Sequence, residues 1–149
     1  MIYLGMYYIY HIYMVNFEND YLYGIQKQKQ ILPILRDHFG LELQETVGRY
    51  SRFDFYSDKS IFELKSRKNN KTKYPTTLLT GNKVIKEDDK DLIFLFNFTD
   101  ELCYIRYDPG VFSTFEKRLF SRINEFFDEK EYYYIPIEQL TTIKKYECL

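Results

Sequence analysis

Apolar positions along the chain change period several times, and each change marks an element. Between residues 23 and 39, Ile25, Ile31, Leu32, Leu35 and Phe39 recur at near-helical spacing, with Gly40 as the stop. An amphipathic helix is expected there, opened by Gly24, with Pro33 costing it an interior hydrogen bond. Leu41-Glu42-Leu43-Gln44-Glu45 alternates, and either starts a sheet or extends a loop. Residues 51–57 and 60–66 are short apolar runs around the polar turn Ser57-Asp58-Lys59-Ser60, the pattern of a β-hairpin. The near-continuous apolar run from Leu92 to Phe98 predicts a buried central strand. Leu102 to Tyr107 is its hairpin partner across Thr99-Asp100-Glu101. Residues 113–127 set Phe115, Leu119, Ile123 and Phe126 on one helical stripe. Tyr132 to Ile137 is a last strand, which Pro136 assigns to an edge or a strand end, and Ile137-Glu138-Gln139-Leu140 begins a short terminal helix.

Within the hairpin, alternation sends Asp54 to the face opposite Phe53 and Phe55. It puts Glu63 and Lys65 on one face, with Phe62 and Leu64 on the other. A loop of two or four residues sets Tyr56 opposite Ile61, and therefore Asp54 opposite Glu63. Directly opposed like charges lie with Cβ atoms only ~5 Å apart and destabilise a sheet. Two carboxylates and a lysine on one patch suit a divalent cation. The plainer alternative has Asp54 bonded within the turn at Ser57 and Asp58, and Lys65 neutralising both acids as a surface pair worth less than ~1 kcal/mol.

An acidic residue, a β-turn and an acid-X-Lys triplet on the next strand form the signature of the PD-(D/E)XK nuclease superfamily. Asp54 followed by Glu63-Leu64-Lys65 resembles it. The resemblance extends over residues 23–143, because helix, hairpin, basic Thr-rich segment and two further strands follow in nearly the αβββαβ order of that superfamily's core. The run Glu63-Leu64-Lys65-Ser66-Arg67, with Tyr74-Pro75-Thr76-Thr77 and Asn82-Lys83, is similar to small nucleases of phages and large DNA viruses. The resemblance implies an α/β fold with a restriction-endonuclease-like αβββαβ core, a mixed central sheet flanked by helices. It implies Mg²⁺ or Mn²⁺ held by Asp54, Glu63 and the Leu64 carbonyl, with Lys65 as the catalytic cation or base. Members of the superfamily often add a glutamate from the first helix. The facing candidates here are Gln26 and Gln30, whose neutrality weakens the case for a second metal. Lys83 falls where members often place a second basic or amide residue.

Composition refines this picture. A chain of 149 residues is expected to form a single domain over 18–149, preceded by an uncharged extension over 1–17 that reads as a tail or an added edge strand. That extension is too short and too polar for a membrane span, and no membrane association is expected. A net charge of −1 excludes a generic polycation, but the charge is uneven. From Lys65 to Lys86 there are seven bases and no acid, the footprint of a phosphate backbone or of a solvated lysine-rich loop. Arg67, Lys68, Lys71 and Lys73 are the candidate contacts. Thr76 and Thr77 follow at an expected helix start behind Pro75, where a phosphate can be held, although Thr after Pro is also ordinary capping. Cys103 and Cys148 suggest neither a disulfide framework nor a zinc site, which favours a reducing, intracellular compartment. The expected function is a Mg²⁺-dependent endonuclease on DNA, of cellular or viral coding, with RNA as the less favoured substrate and a homodimer allowed. Its rivals are a non-catalytic nucleic-acid-binding module and a plain interaction protein whose tyrosines, Tyr132 to Tyr134 among them, bind a partner.

Overall fold

The computed structural model describes residues 2–47, 53–86, 89–120 and 130–147, with side chains from Asn19 onward except Phe120. Among the described residues, two sheets and one long helix form the framework. Helix α1 runs Ile2–Phe39, and the extension expected as a tail is its N-terminal part. Gly24 therefore lies inside the helix rather than at its start, and Pro33 lies inside it on an exposed position. Extending a formed helix adds one hydrogen bond per residue, so only nucleation is costly. The helix ends at Gly40, whose φ of 128° is open to glycine and whose N–H donates to the Arg36 carbonyl at 2.9 Å.

The first sheet has the order β1-β2-β3-β5-β6-β9. Its strands are β1 Gln44–Glu45, β2 Phe55–Tyr56, β3 Ser60–Ser66, β5 Asp91–Asn97, β6 Glu101–Arg106 and β9 Thr141–Lys145. β3 and β5 run parallel in unbroken register from Ser60↔Asp91 to Ser66↔Asn97, while the other neighbours are antiparallel. The alternating apolar residues of β5 serve two cores. Ile93 and Leu95 join Phe55 and Phe62 beneath Ile31 and Leu35 of α1. Phe94 and Phe96, both fully buried, face the second sheet with Leu79, Phe112 and Ile135.

That second sheet, order β4-β8-β7, consists of β4 Thr76–Thr80, β8 Lys130–Pro136 and β7 Glu116–Phe120. It changes three expectations. The Thr-rich segment after Pro75 is a strand with alternating burial, not a helix start, because its β-branched residues pair with β8. The stripe at 113–127 is not a helix where it is described. A four-residue helix, α2 (Pro109–Phe112), precedes β7, and residues 121–129 lie outside the described set. Tertiary pairing with β8 overrides the helical period, leaving Phe115 buried and Leu119 exposed. β8 ends at Pro136 as anticipated but occupies the middle of its sheet rather than an edge. The expected terminal helix is one 3₁₀ turn, Ile137–Gln139, followed by β9.

The architecture is thus mixed α/β. A parallel pair needs a crossover of a dozen or more residues. Between β3 and β5 that crossover carries β4 and 3₁₀ turns at Lys71–Lys73 and Gly81–Lys83, in place of the helix the αβββαβ order calls for. One face of the central sheet is covered by α1 and the other by a second sheet with α2, not by helices on both faces.

Candidate functional site

The hairpin closes where the hydrophobic pattern predicts. Ser57 N–H donates to the Ser60 carbonyl at 2.8 Å, Ser60 N–H donates to Ser57 Oγ at 3.1 Å, and Tyr56 pairs with Ile61 and Phe55 with Phe62. Phe55 and Phe62 are buried beneath α1, which obliges Glu63 to project from the other face of β3. Asp54 is the first residue beyond the ladder. Its N–H donates to the Phe62 carbonyl at 2.9 Å, and its Oδ2 accepts the Leu64 N–H at 2.7 Å. The carboxylate therefore satisfies a β3 edge donor that β2 is too short to reach.

Around Glu63 the tertiary fold gathers two cations. Glu63 is 4% exposed, and its Oε1 lies 3.1 Å from Lys65 Nζ and 3.5 Å from Lys83 Nζ. Lys83 arrives from the 3₁₀ turn after β4. Asp54 is close enough to this group to respond to it. Burial, then repulsion by Glu63, pushes its carboxyl from 3.8 up to about 6, against the opposing pull of the Leu64 N–H, Lys65 and Lys83. The hairpin thus brings Asp54, Glu63 and Lys65 together, with Lys83 added.

The helix contributes different residues from those expected. Gln26 is exposed, and Gln30 lines a separate cleft with Tyr23, Lys27 and Tyr146. Gln28 is the one beside the hairpin: its Nε2 donates to Glu45 Oε1 at 3.1 Å and to the Asp54 carbonyl at 3.4 Å. Positions two apart on a helix lie on nearly opposite sides, whereas Gln28 falls on the stripe of Ile31, Leu32 and Leu35. That helical phase was the available signal. Asp20, about two turns back, joins Gln28 along a cleft of about 200 Å³ that also reaches Asp54, Leu64 and Ser66. Among the described residues, Ser66 Oγ is the buried side-chain polar atom with no hydrogen-bond partner.

The basic segment does not form one patch. Arg67 donates from Nε to Thr77 Oγ1 at 3.3 Å and from Nη2 to the Leu78 carbonyl, tying β3 to β4. Lys68 turns to α1, 3.2 Å from Asp20 Oδ1 and over the Tyr23 ring at 4.9 Å. Lys71 reaches Glu101 Oε1 at 3.1 Å, where Cys103 Sγ and Thr142 Oγ1 also donate. Lys73 lies over the Tyr74 ring. Thr77 is buried and Thr76 half-buried on β4, so neither stands at a helix N-terminus. Cys103 is buried, and burial first, then its bond to Glu101, pushes its thiol up to about 12, which makes it an inert thiol. Cys148 lies outside the described residues.

Among the described residues no three His, Cys, Asp or Glu side chains cluster, and no helix is long and apolar enough to cross a membrane. Compared with known proteins, the chain matches no family model and no curated protein.

Proposed function

We propose that this chain is a Mg²⁺-dependent endonuclease that hydrolyses phosphodiester bonds in DNA, with Asp54, Glu63 and Lys65 at its centre. The observation that carries this reading is the forced proximity of Asp54 and Glu63. Burial and repulsion by Glu63 raise Asp54 to about 6, a cost the fold bears although an uncharged side chain could equally accept the Leu64 N–H. The residues fit a hard cation. Mg²⁺ takes one or two carboxylates and keeps several waters, and Asp54, Glu63 and the Leu64 carbonyl would hold it. When bound, such a cation supplies Lewis-acid polarisation of the phosphoryl group and a more acidic water.

The chain's own groups do the rest. Lys65, held by Glu63, presents a positive charge to the phosphoryl oxygens as negative charge develops on them. Lys83 keeps Glu63 compensated when Lys65 turns toward substrate. Above pH 6 Asp54 is ionised and available as a ligand.

The test is an incubation of the purified protein with Mg²⁺ or Mn²⁺ and linear, supercoiled, branched and single-stranded DNA, plus RNA. Lys65→Ala is expected to lose on the order of 10²-fold or more in cleavage. Its thermal stabilisation by Mn²⁺ should persist or grow, since a neighbouring positive charge is gone. Wild-type cleavage rates in Lys65→Ala would overturn the assignment.

A further inference from the structure

Two clefts of opposite character flank the hairpin. The one on the α1 side carries the carboxylates of Asp20 and Asp54, with Lys68 3.2 Å from Asp20. The other, about 220 Å³, starts at Lys65 and runs between the central sheet and the Thr76–Thr80 strand. Its charged lining is Lys65, Arg67 and Lys71, and no carboxylate lines it. The acids that hold Lys65 and Lys71, namely Glu63 and Glu101, are buried behind them. A concave surface with cations in front and acids behind draws phosphate.

The uncharged lining completes a pattern. Tyr74, Thr76 and Thr80 line it, and Tyr132, only 5% exposed, forms part of its wall. Tyr74 stands 54% exposed at the rim with Lys73 over its ring at 5.5 Å. Thr80 pairs with Tyr132 across β4 and β8, so both belong to the same sheet face. Cations that track a backbone, beside aromatic faces on which any base can stack, are how single-stranded nucleic acid is held.

We propose that this cleft is a subsite for one unpaired nucleotide adjoining the scissile phosphate, so that the preferred DNA is single-stranded or unpaired next to the cut. This rests on the nuclease reading of Asp54, Glu63 and Lys65. Lys65 links the two because it belongs to the catalytic group and to the mouth of the cleft. Size selects the occupant. At about 220 Å³ the cleft has room for part of one nucleotide, such as its base, and none for a duplex. A paired base reaches such a pocket only after unstacking and unpairing, so paired DNA is disfavoured.

The test uses the full chain and a fluorescein-labelled deoxyoligonucleotide, either alone or annealed to its complement. Binding is read by anisotropy in EDTA, and cleavage with Mn²⁺. The single strand should bind at least about tenfold tighter than the duplex. Tyr74→Ala should weaken single-strand binding by about tenfold, within the range of one lost stacking contact, and Tyr74→Phe should restore it. In cleavage, Tyr74→Ala should raise KM with kcat unchanged. Thr80→Val, which keeps the strand's shape, should also weaken single-strand binding. Equal affinity for strand and duplex, or single-strand affinity indifferent to both Tyr74→Ala and Thr80→Val, overturns the proposal. Cleavage without that preference leaves the nuclease standing and the subsite refuted. Tyr74-dependent single-strand binding without cleavage of any substrate supports the subsite and refutes the nuclease.

Discussion

Asp54→Asn isolates the cost of bringing two carboxylates together. The substitution removes the charge that burial and Glu63 oppose, while its amide oxygen can still accept the Leu64 N–H. Asp54 moves from 3.8 to about 6 on folding, and each pKa unit is worth 1.36 kcal/mol, so its ionisation in the folded state costs about 3 kcal/mol. Because the folded carboxyl holds its proton more tightly, the stability is fully present below pH 3.8. It is lost as pH rises through about 6 and is level above that. Asn has no such dependence. The melting temperatures of wild type and Asp54→Asn, followed by circular dichroism in EDTA from pH 4 to 8, should therefore diverge between pH 4 and 6. At pH 7 and above the variant should melt roughly 6–12 °C higher, using about 2–4 °C per kcal/mol for a domain of this size. Adding Mg²⁺ at pH 7.5 should close part of the gap by stabilising the wild type alone. A gap constant across the pH range, or a wild type that gains on the variant as pH rises, would refute the reasoning.

Lys71→Met should destabilise by about 3 kcal/mol in urea titrations, because it leaves Glu101 charged and largely buried beside Cys103 and Thr142. Burial raises Glu101, but its bonds from Cys103, Thr142 and Lys71 outweigh this and hold it below its ordinary value. The Lys71→Met deficit should therefore shrink as pH falls and Glu101 takes a proton. Phe94→Ala, at a fully buried position facing the second sheet, should cost about 3–5 kcal/mol with no pH dependence. Asp108 accepts the Gly110 and Val111 N–H groups at the start of α2, so Asp108→Ala should cost about 1 kcal/mol by the same measurement.

Much of the central sheet was written locally. The β2–β3 turn, the buried run of β5 and its hairpin with β6 follow from period-two alternation and turn residues that act over a few positions. The neighbours of the site were only partly legible. The Thr76–Thr80 strand carried its own sign, β-branched residues with alternate apolar positions, that Pro75 concealed. β7 carried the opposite sign, a helical stripe overruled by pairing with β8.

Asp54, Glu63 and Lys65 could be chosen from the chain alone, because one hairpin holds all three and its register is a local property. What only the tertiary structure decided is their company. Lys83 on Glu63, Gln28 on the Asp54 backbone, Lys68 on Asp20 and Lys71 on Glu101 all join segments remote in sequence. The acid-free run from Lys65 to Lys86 announced a positive field, but not which cations would be absorbed by buried acids and which would line a cleft. Alternation and turn chemistry specify where a side chain leaves its own strand. Its partners depend on how α1 and the second sheet close over that strand, and long-range packing, not local pattern, determines that closure.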